Sequence, residues 1–375
     1  MNRGNGEKIF RILIIVVVIV VIAIAAFIAY AFLGNRNNNE SEEEMNFTLN
    51  QQAGNRVVTN NVTQNTIVPV ENTYDNQTQT PVNTPTDTTK YYYEQLTDTA
   101  KKIYDGLNNH KEDMKTGTYV IDFGNEFNEV LNQNRGEEKL NQEYQSAWNA
   151  FSYDNVDLFY LDISKISMVI EARTIGNTTT YYVKIGPGDN SSYLNSTFKN
   201  KQEVEDAEAY IEDIRTQVMS ILGPYDNARK IKVVNEWMIE NLSYDDSEGN
   251  INKYNLYGAI AETRVVCEGY ARMFKYIMEG LDIPCVLVSG TATNSDEETE
   301  THAWNYVELS GKWYAMDVTW NDPVIIGGGE LTESQKSRYL LKGKSFLENH
   351  TEDGEISENS MKFKFPELNS ADYIF

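Results

Sequence analysis

Chemistry in this chain has few possible carriers, since its 375 residues include only two cysteines and three histidines. Cys267 heads the run CEGYARMFKYIMEGL, in which Cys267, Tyr270, Phe274, Ile277 and Leu281 fall on one helical stripe, with Gly280 and Pro284 marking the stop. A sulfur in the first turn of a helix meets unpaired N–H groups and the positive end of the dipole. Both favour thiolate over thiol, as a nucleophilic or metal-binding sulfur requires. Downstream, HAWNYVELSGKWYAMDVTW (302–320) reads as a hairpin turning at Ser310-Gly311. With that turn, Leu309 faces Lys312 and His302 faces Thr319, so Asp317 becomes the diagonal neighbour of His302 on one face of the sheet. An imidazole that acts on a thiol needs its far nitrogen held by an acceptor, and this carboxylate is in place to do so.

Two other uses of the sulfurs are open on composition. A Cys267–Cys285 disulfide would suit an exported chain with an even cysteine count. However, Cys285 follows Pro284 in an apolar strand about four helical turns away, beyond the ~7 Å that a disulfide spans between Cα atoms, and reads better as a small buried hydrophobe. A zinc site lacks any Cys-x-x-Cys or His-x-x-x-His pair. The stretch DDSEGNINKYN starts like a calcium loop and lacks the closing glutamate. No metal or cofactor is expected.

The elements around these residues set the organisation. Residues 12–33, ILIIVVVIVVIAIAAFIAYAFL, form an uncharged apolar run long enough to cross ~30 Å of hydrocarbon as a transmembrane helix. It exceeds the ~7–15 residues of a signal-peptide core, although Ala29-Tyr30-Ala31 resembles a cleavage site. Arg3, Lys8 and Arg11 precede it and Glu40, Glu42, Glu43 and Glu44 follow, which makes 1–11 the cytoplasmic N-terminus and puts the rest outside the cell membrane. Residues 34–90 are rich in Asn and Thr and read as a disordered linker. Residues 91–200 read as a small accessory α/β region, β-rich through TYVIDF, VDLFYLDI, KISMVIEAR and TTTYYVKI, with Gly176-Asn177 as a hairpin turn. From 201 to 375 the chain reads as α+β. Asn200 with Glu203, and Asp226, cap two helices ahead of the Cys267 helix. A net charge of −24 repels nucleic acid.

VVCEGYARMFKYIMEGLDIPCVLVSG, HAWNYVELSGKWYAMDVTWNDP and the upstream NLSYDD and NLYGAI resemble the bacterial branch of the transglutaminase-like superfamily, a papain-related fold. The resemblance covers about 226–323. It implies a nucleophile helix packed on an antiparallel sheet, with Cys267 as nucleophile, His302 as general base and acid, and Asp317 as the orienting carboxylate. It also implies attack on a carboxamide or peptide carbonyl through a thioester, and protein or cell-wall peptide substrates. The Cys267 N–H is one oxyanion donor by geometry. Tyr244 is the candidate for the second, because the family places an aromatic donor at the matching stretch. Strand parity puts Trp304 on the face of His302, toward a substrate groove, and Trp320 on the opposite face. The acidic stretch 294–301 is expected to border the site. A non-catalytic surface binding or scaffold module is the alternative.

Overall fold

Thr97 starts the first helix, accepting the Ala100 N–H while Ala100, Ile103, Tyr104 and Leu107 turn one buried face inward, and α1 runs Asp98–Asn109. The chain continues through β1 (Ile121–Gly124) into α2 (Gly136–Asp154), which buries Leu140, Tyr144, Ala147, Trp148 and Phe151 at helical spacing. β2 (Ile166–Ile175) and β3 (Thr178–Pro187) form the expected hairpin. Gly176 takes the positive φ of its turn, and the antiparallel sheet has the order β1-β3-β2. VDLFYLDI, read as a strand, is not one: Leu161 makes a single bridge to Leu194, while Val156, Leu158, Phe159 and Tyr160 are buried in an irregular segment. Its apolar run reflects burial on all sides, which periodicity alone does not distinguish from a strand.

This computed structural model describes residues 85–188, 191–245, 247–323, 330–357 and 359–375. The transmembrane helix expected over 12–33, the N-terminus before it and the linker as far as residue 84 lie outside the described residues. Among the described residues no helix is long and apolar enough to cross a membrane. The last residues of the expected linker are docked rather than free. Thr86 N–H donates to Glu308 at 3.0 Å, and Thr88 is buried, its hydroxyl accepting from the Cys285 N–H at 3.3 Å.

Asn200 caps α3 (Lys201–Ile221) by accepting the Glu203 N–H, and Asp226 caps α4 (Asn227–Asn241) by accepting the Arg229 N–H. β4 (Ser243–Tyr244) then pairs in parallel with β5 (Arg264–Val265), immediately ahead of α5 (Cys267–Gly280). β6 (Cys285–Thr293), β7 (Thr299–Leu309) and β8 (Lys312–Met316) follow, then the single turn α6 (Val318–Asn321) and β9 (His350–Glu352). Their sheet has the order β8-β7-β6-β9 and is antiparallel throughout.

The β7–β8 turn has Ser310 at φ +54° and Gly311 at φ +76°, the two positive φ values of a type I′ hairpin, and Leu309 pairs with Lys312 as expected. α5 packs on β6 and β7, and the buried Asn305 amide donates to the Ala271 carbonyl at 3.0 Å. One continuous apolar cluster runs from Tyr92 to Phe363, within a compact unit covering 77–375. Residue 200 therefore divides no two cores. The accessory region is fastened to α5 by buried cations: Lys275 donates to the Asp154 carbonyl at 3.1 Å, and Arg272 donates to the Ser152 carbonyl and hydroxyl at 3.0 and 2.9 Å.

Candidate active site

Cys267 is the first residue of α5 and is partly exposed, and Val266 at the N-cap supplies no side-chain hydrogen bond. A valine where Ser, Thr, Asp or Asn would cap leaves the helix N–H groups and the dipole facing outward beside the sulfur. Both cysteines are free. Cys285 is fully buried on β6, and burial pushes its thiol pKa far up, so the disulfide reading falls and the hydrophobe reading stands.

His302 sits on β7 opposite Gly290 of β6. Its Nε2 lies 2.8 Å from Asp317 Oδ2, and the ring also hydrogen-bonds Cys267. With Nε2 committed to the carboxylate, Nδ1 is the nitrogen left for the sulfur. The pairing with Asp317 arises differently from the strand register expected. The β7–β8 ladder ends at Asn305 opposite Met316, and Asp317 is the N-cap of α6, its Oδ1 accepting the Trp320 N–H at 3.1 Å. His302 therefore has no partner at Thr319. Breaking the strand at residue 317 also cancels the parity that placed Trp320 on the far face: its ring centroid lies 5.3 Å from that of His302.

Burial opposes charge on both groups, and their mutual attraction outweighs it. The His302 imidazole would be pushed down by burial, but the Asp317 charge and hydrogen bond, with a smaller contribution from Cys267, raise its pKa to about 10. Asp317 would be pushed up by burial, but His302 first and His350 second hold it well below the usual carboxylate range.

His350 was not read from the sequence. Its Nε2 lies 3.2 Å from Asp317 Oδ2, so the carboxylate accepts from two imidazoles and one backbone N–H. Burial lowers the His350 pKa despite the pull of Asp317. It stacks on Phe346 at 3.8 Å between centroids, with Trp304, Trp320 and Tyr339 around it. Gly290 admits β9 to this position, since a Cβ there would stand 2.0 Å from the Thr351 carbonyl oxygen and 2.7 Å from the Trp304 ring. Two imidazoles and a carboxylate are also a metal donor set, their ligand atoms within 4.8 Å of one another. Here both Nε2 atoms are already spent on the carboxylate. Because a hydrogen bond to a charged group is worth about 1.5–3 kcal/mol, His350→Phe should destabilise the fold by that order in urea unfolding. His350→Gln, which keeps a donor, should recover part of it.

A cleft of about 410 Å³ opens over the sulfur, lined by Cys267, His302, Tyr153, Tyr244, Tyr254 and Glu268 among others. Tyr244 pairs with Val265 two residues before Cys267, and its partly exposed ring reaches the cleft. Trp304 does not line it. It is 1 % exposed and packs in the layer beneath with Val286, Val288, Tyr306 and Phe346, which corrects its assignment to the groove: it backs the His302 ring, 6.0 Å away and stacked. Of the acidic stretch, Thr301 lines the cleft, while Asp296, Glu297, Glu298 and Glu300 do not. These four lie in and beside the β6–β7 turn, past His302.

Residues 215–318, which include Cys267, His302 and Asp317, match the family model of the transglutaminase-like superfamily. The chain carries a transglutaminase-like core. Kyphoscoliosis peptidase of Mus musculus is 22% identical over 111 residues, covering 27% of this chain and 17% of that protein. The Homo sapiens protein is 22% identical over 156 residues, covering 37% and 23%. The chain thus spans about a fifth of the length of these curated relatives. Among solved structures, a TGase superposes with a TM-score of 0.28 at 14% identity, covering 46% of this chain and 48% of that one. The periplasmic domain of TgpA from Pseudomonas aeruginosa gives 0.24 at 11% identity, covering 42% and 63%. The matched residues contain α4, α5, β4 to β8 and the end of α3; α1, α2 and β1 to β3 precede them.

Proposed function

We propose that this protein is a cell-surface thiol enzyme that acts on carboxamide or peptide bonds through Cys267, His302 and Asp317. The observation that supports this reading is a buried imidazole held between a carboxylate and the sulfur at an uncapped helix start. In the first step the Cys267 thiol passes its proton to His302, leaving a thiolate beside an imidazolium. The sulfur attacks the carbonyl carbon, a C–S bond forms, and the carbonyl π pair moves onto oxygen. The Cys267 backbone N–H faces that oxygen from the helix end, and Tyr244 is the proposed second donor. Collapse breaks the C–N bond, and the amine leaves with the proton from His302 Nδ1. The thioester then passes its acyl group to water or to a second amine, which returns a proton to His302. Asp317 holds the ring in the tautomer that permits both transfers.

No metal or cofactor enters this sequence. The apolar run 12–33, with basic residues before it and acidic ones after it, supports a single-pass anchor with a cytoplasmic N-terminus and the site outside, where protein or cell-wall peptides are the substrates. Incubating the full chain with a glutamine-containing protein and a labelled amine, followed by mass spectrometry, tests the reading. Label, deamidation or cleavage that depends on Cys267 is expected; none of the three over long incubation would overturn it.

A further inference from the structure

We infer that the irregular segment 156–163 forms a subsite of the cleft for an apolar side chain of a peptide, adjacent to the residue that reacts at Cys267. This rests on the function proposed above. Beside the cleft lies a second cavity of about 410 Å³, floored by Leu158 and Phe159 and rimmed by Ile163, Ile251 and Tyr254. It adjoins the cleft, since Tyr254 and Glu268 line both. Its size falls within the ~300–1,000 Å³ of ligand pockets.

The rim is unusual in its exposure. Ile163, Ile251 and Tyr254 are 43%, 54% and 51% exposed, and they converge on this one opening instead of scattering over the surface. The charged groups of the lining are already satisfied. Glu268 accepts from Arg272 Nε and Nη2 at 2.9 and 2.7 Å, Arg272 also holds Ser152, and Asp162 pairs with Lys165 at 3.0 Å and with the Ser164 hydroxyl. Asn195 and Asn255 are spent on Asn252 and neighbouring backbone. A charged side chain would be desolvated there beside carboxylates and a guanidinium that are already paired, whereas a branched aliphatic or aromatic one displaces water from apolar walls. The occupant is a peptide substrate because the cavity lies beside the sulfur's cleft, with Tyr254 and with Glu268, next to Cys267 in the chain, lining both. The accessory region thereby gains a role in choosing substrate.

Glutamine peptides that carry Leu or Ser beside the reacting residue, turned over by the full chain, test this. Wild type should favour the Leu peptide by about 10- to 100-fold in kcat/KM. Ile163→Asp and Ile251→Asp, at exposed positions where folding is retained, should reduce that preference to about 3-fold or less. Ile175→Asp, at an exposed hairpin tip, should keep it. Equal kcat/KM for both peptides, or a preference unchanged in both rim variants, would overturn the subsite. Binding of the same peptides to full-length Cys267→Ala, followed by fluorescence anisotropy, separates the two claims. Tighter binding of the Leu peptide that is lost in Ile163→Asp, without any turnover in wild type, would sink the thiol chemistry and leave the subsite. Turnover without preference would do the reverse, and neither binding nor turnover would sink both.

Discussion

Asp317→Asn should lower kcat/KM at neutral pH by on the order of 10³–10⁴-fold while leaving the protein folded. Three donors converge on the two oxygens of Asp317: His302 Nε2, His350 Nε2 and the Trp320 N–H. An amide has one accepting end, so it can serve the helix cap or the imidazoles but not both. If its NH₂ group faces His302, the ring must carry its proton on Nδ1 and can no longer accept from the thiol. Loss of the charge also leaves burial unopposed, so the His302 pKa should fall from about 10 to below its ordinary value near 6.5. The alkaline limb of the pH–rate profile should therefore move to lower pH by several units. A profile that keeps its limb while its height falls would assign Asp317 a purely structural role.

The same substitution has a thermal signature whose sign follows from linkage. The folded pKa of His302 lies above its unfolded value, so its contribution is full below about pH 6.5 and is lost as pH rises through about 10. That of Asp317 lies below its unfolded value, so its contribution is full above about pH 4 and is lost as pH falls through the folded pKa. The Tm deficit of Asp317→Asn should be largest between about pH 4 and 6.5 and shrink toward pH 10.

His302→Ala should cost still more, on the order of 10⁴–10⁶-fold in kcat, because both the thiolate and the leaving amine depend on its proton. Alanine also leaves Asp317 as a buried carboxylate with one imidazole fewer, a loss of the kind that destabilises by about 3–5 kcal/mol. His302→Gln separates the two roles. Its amide can still donate to Asp317, so Tm should recover, yet it cannot carry a proton between sulfur and amine, and turnover should stay abolished. Joined to Cys267→Ala, either variant should add almost nothing to the kinetic loss, as groups acting as one unit do. Recovery of turnover in His302→Gln would remove His302 from the chemistry.

What the sequence disclosed follows locality. The β7–β8 register was legible because Ser310-Gly311 dictates a two-residue turn, and the start of α5 because Cys267 opens an apolar stripe that Gly280 and Pro284 close. The spacing of Leu140, Tyr144, Ala147, Trp148 and Phe151 held the signal for α2, which the aromatic and β-branched runs around it obscured. Strand parity failed at Asp317, where a side chain that caps its own following turn ended β8 one residue early. It also misled at Trp304, since alternation identifies a face of the sheet but not whether that face is open or covered by the Phe346 and His350 rings. His350 had no local signal at all. It reaches Asp317 through the pairing of β9 with β6 across more than fifty residues, a long-range contact that a sequence pattern does not encode.

The central claim is that His302 keeps Cys267 as a thiolate, and the rate of alkylation by iodoacetamide measures it directly. Cys285 is fully buried, so one fast equivalent should report on Cys267 alone. In wild type the rate should remain high at pH 6, far above that of a free thiol with pKa ≈ 8.5, and in His302→Ala it should fall and track the free thiol. Equal rates for wild type, His302→Ala and a model thiol at pH 6 would contradict the claim and leave a transglutaminase-like core that binds without reacting.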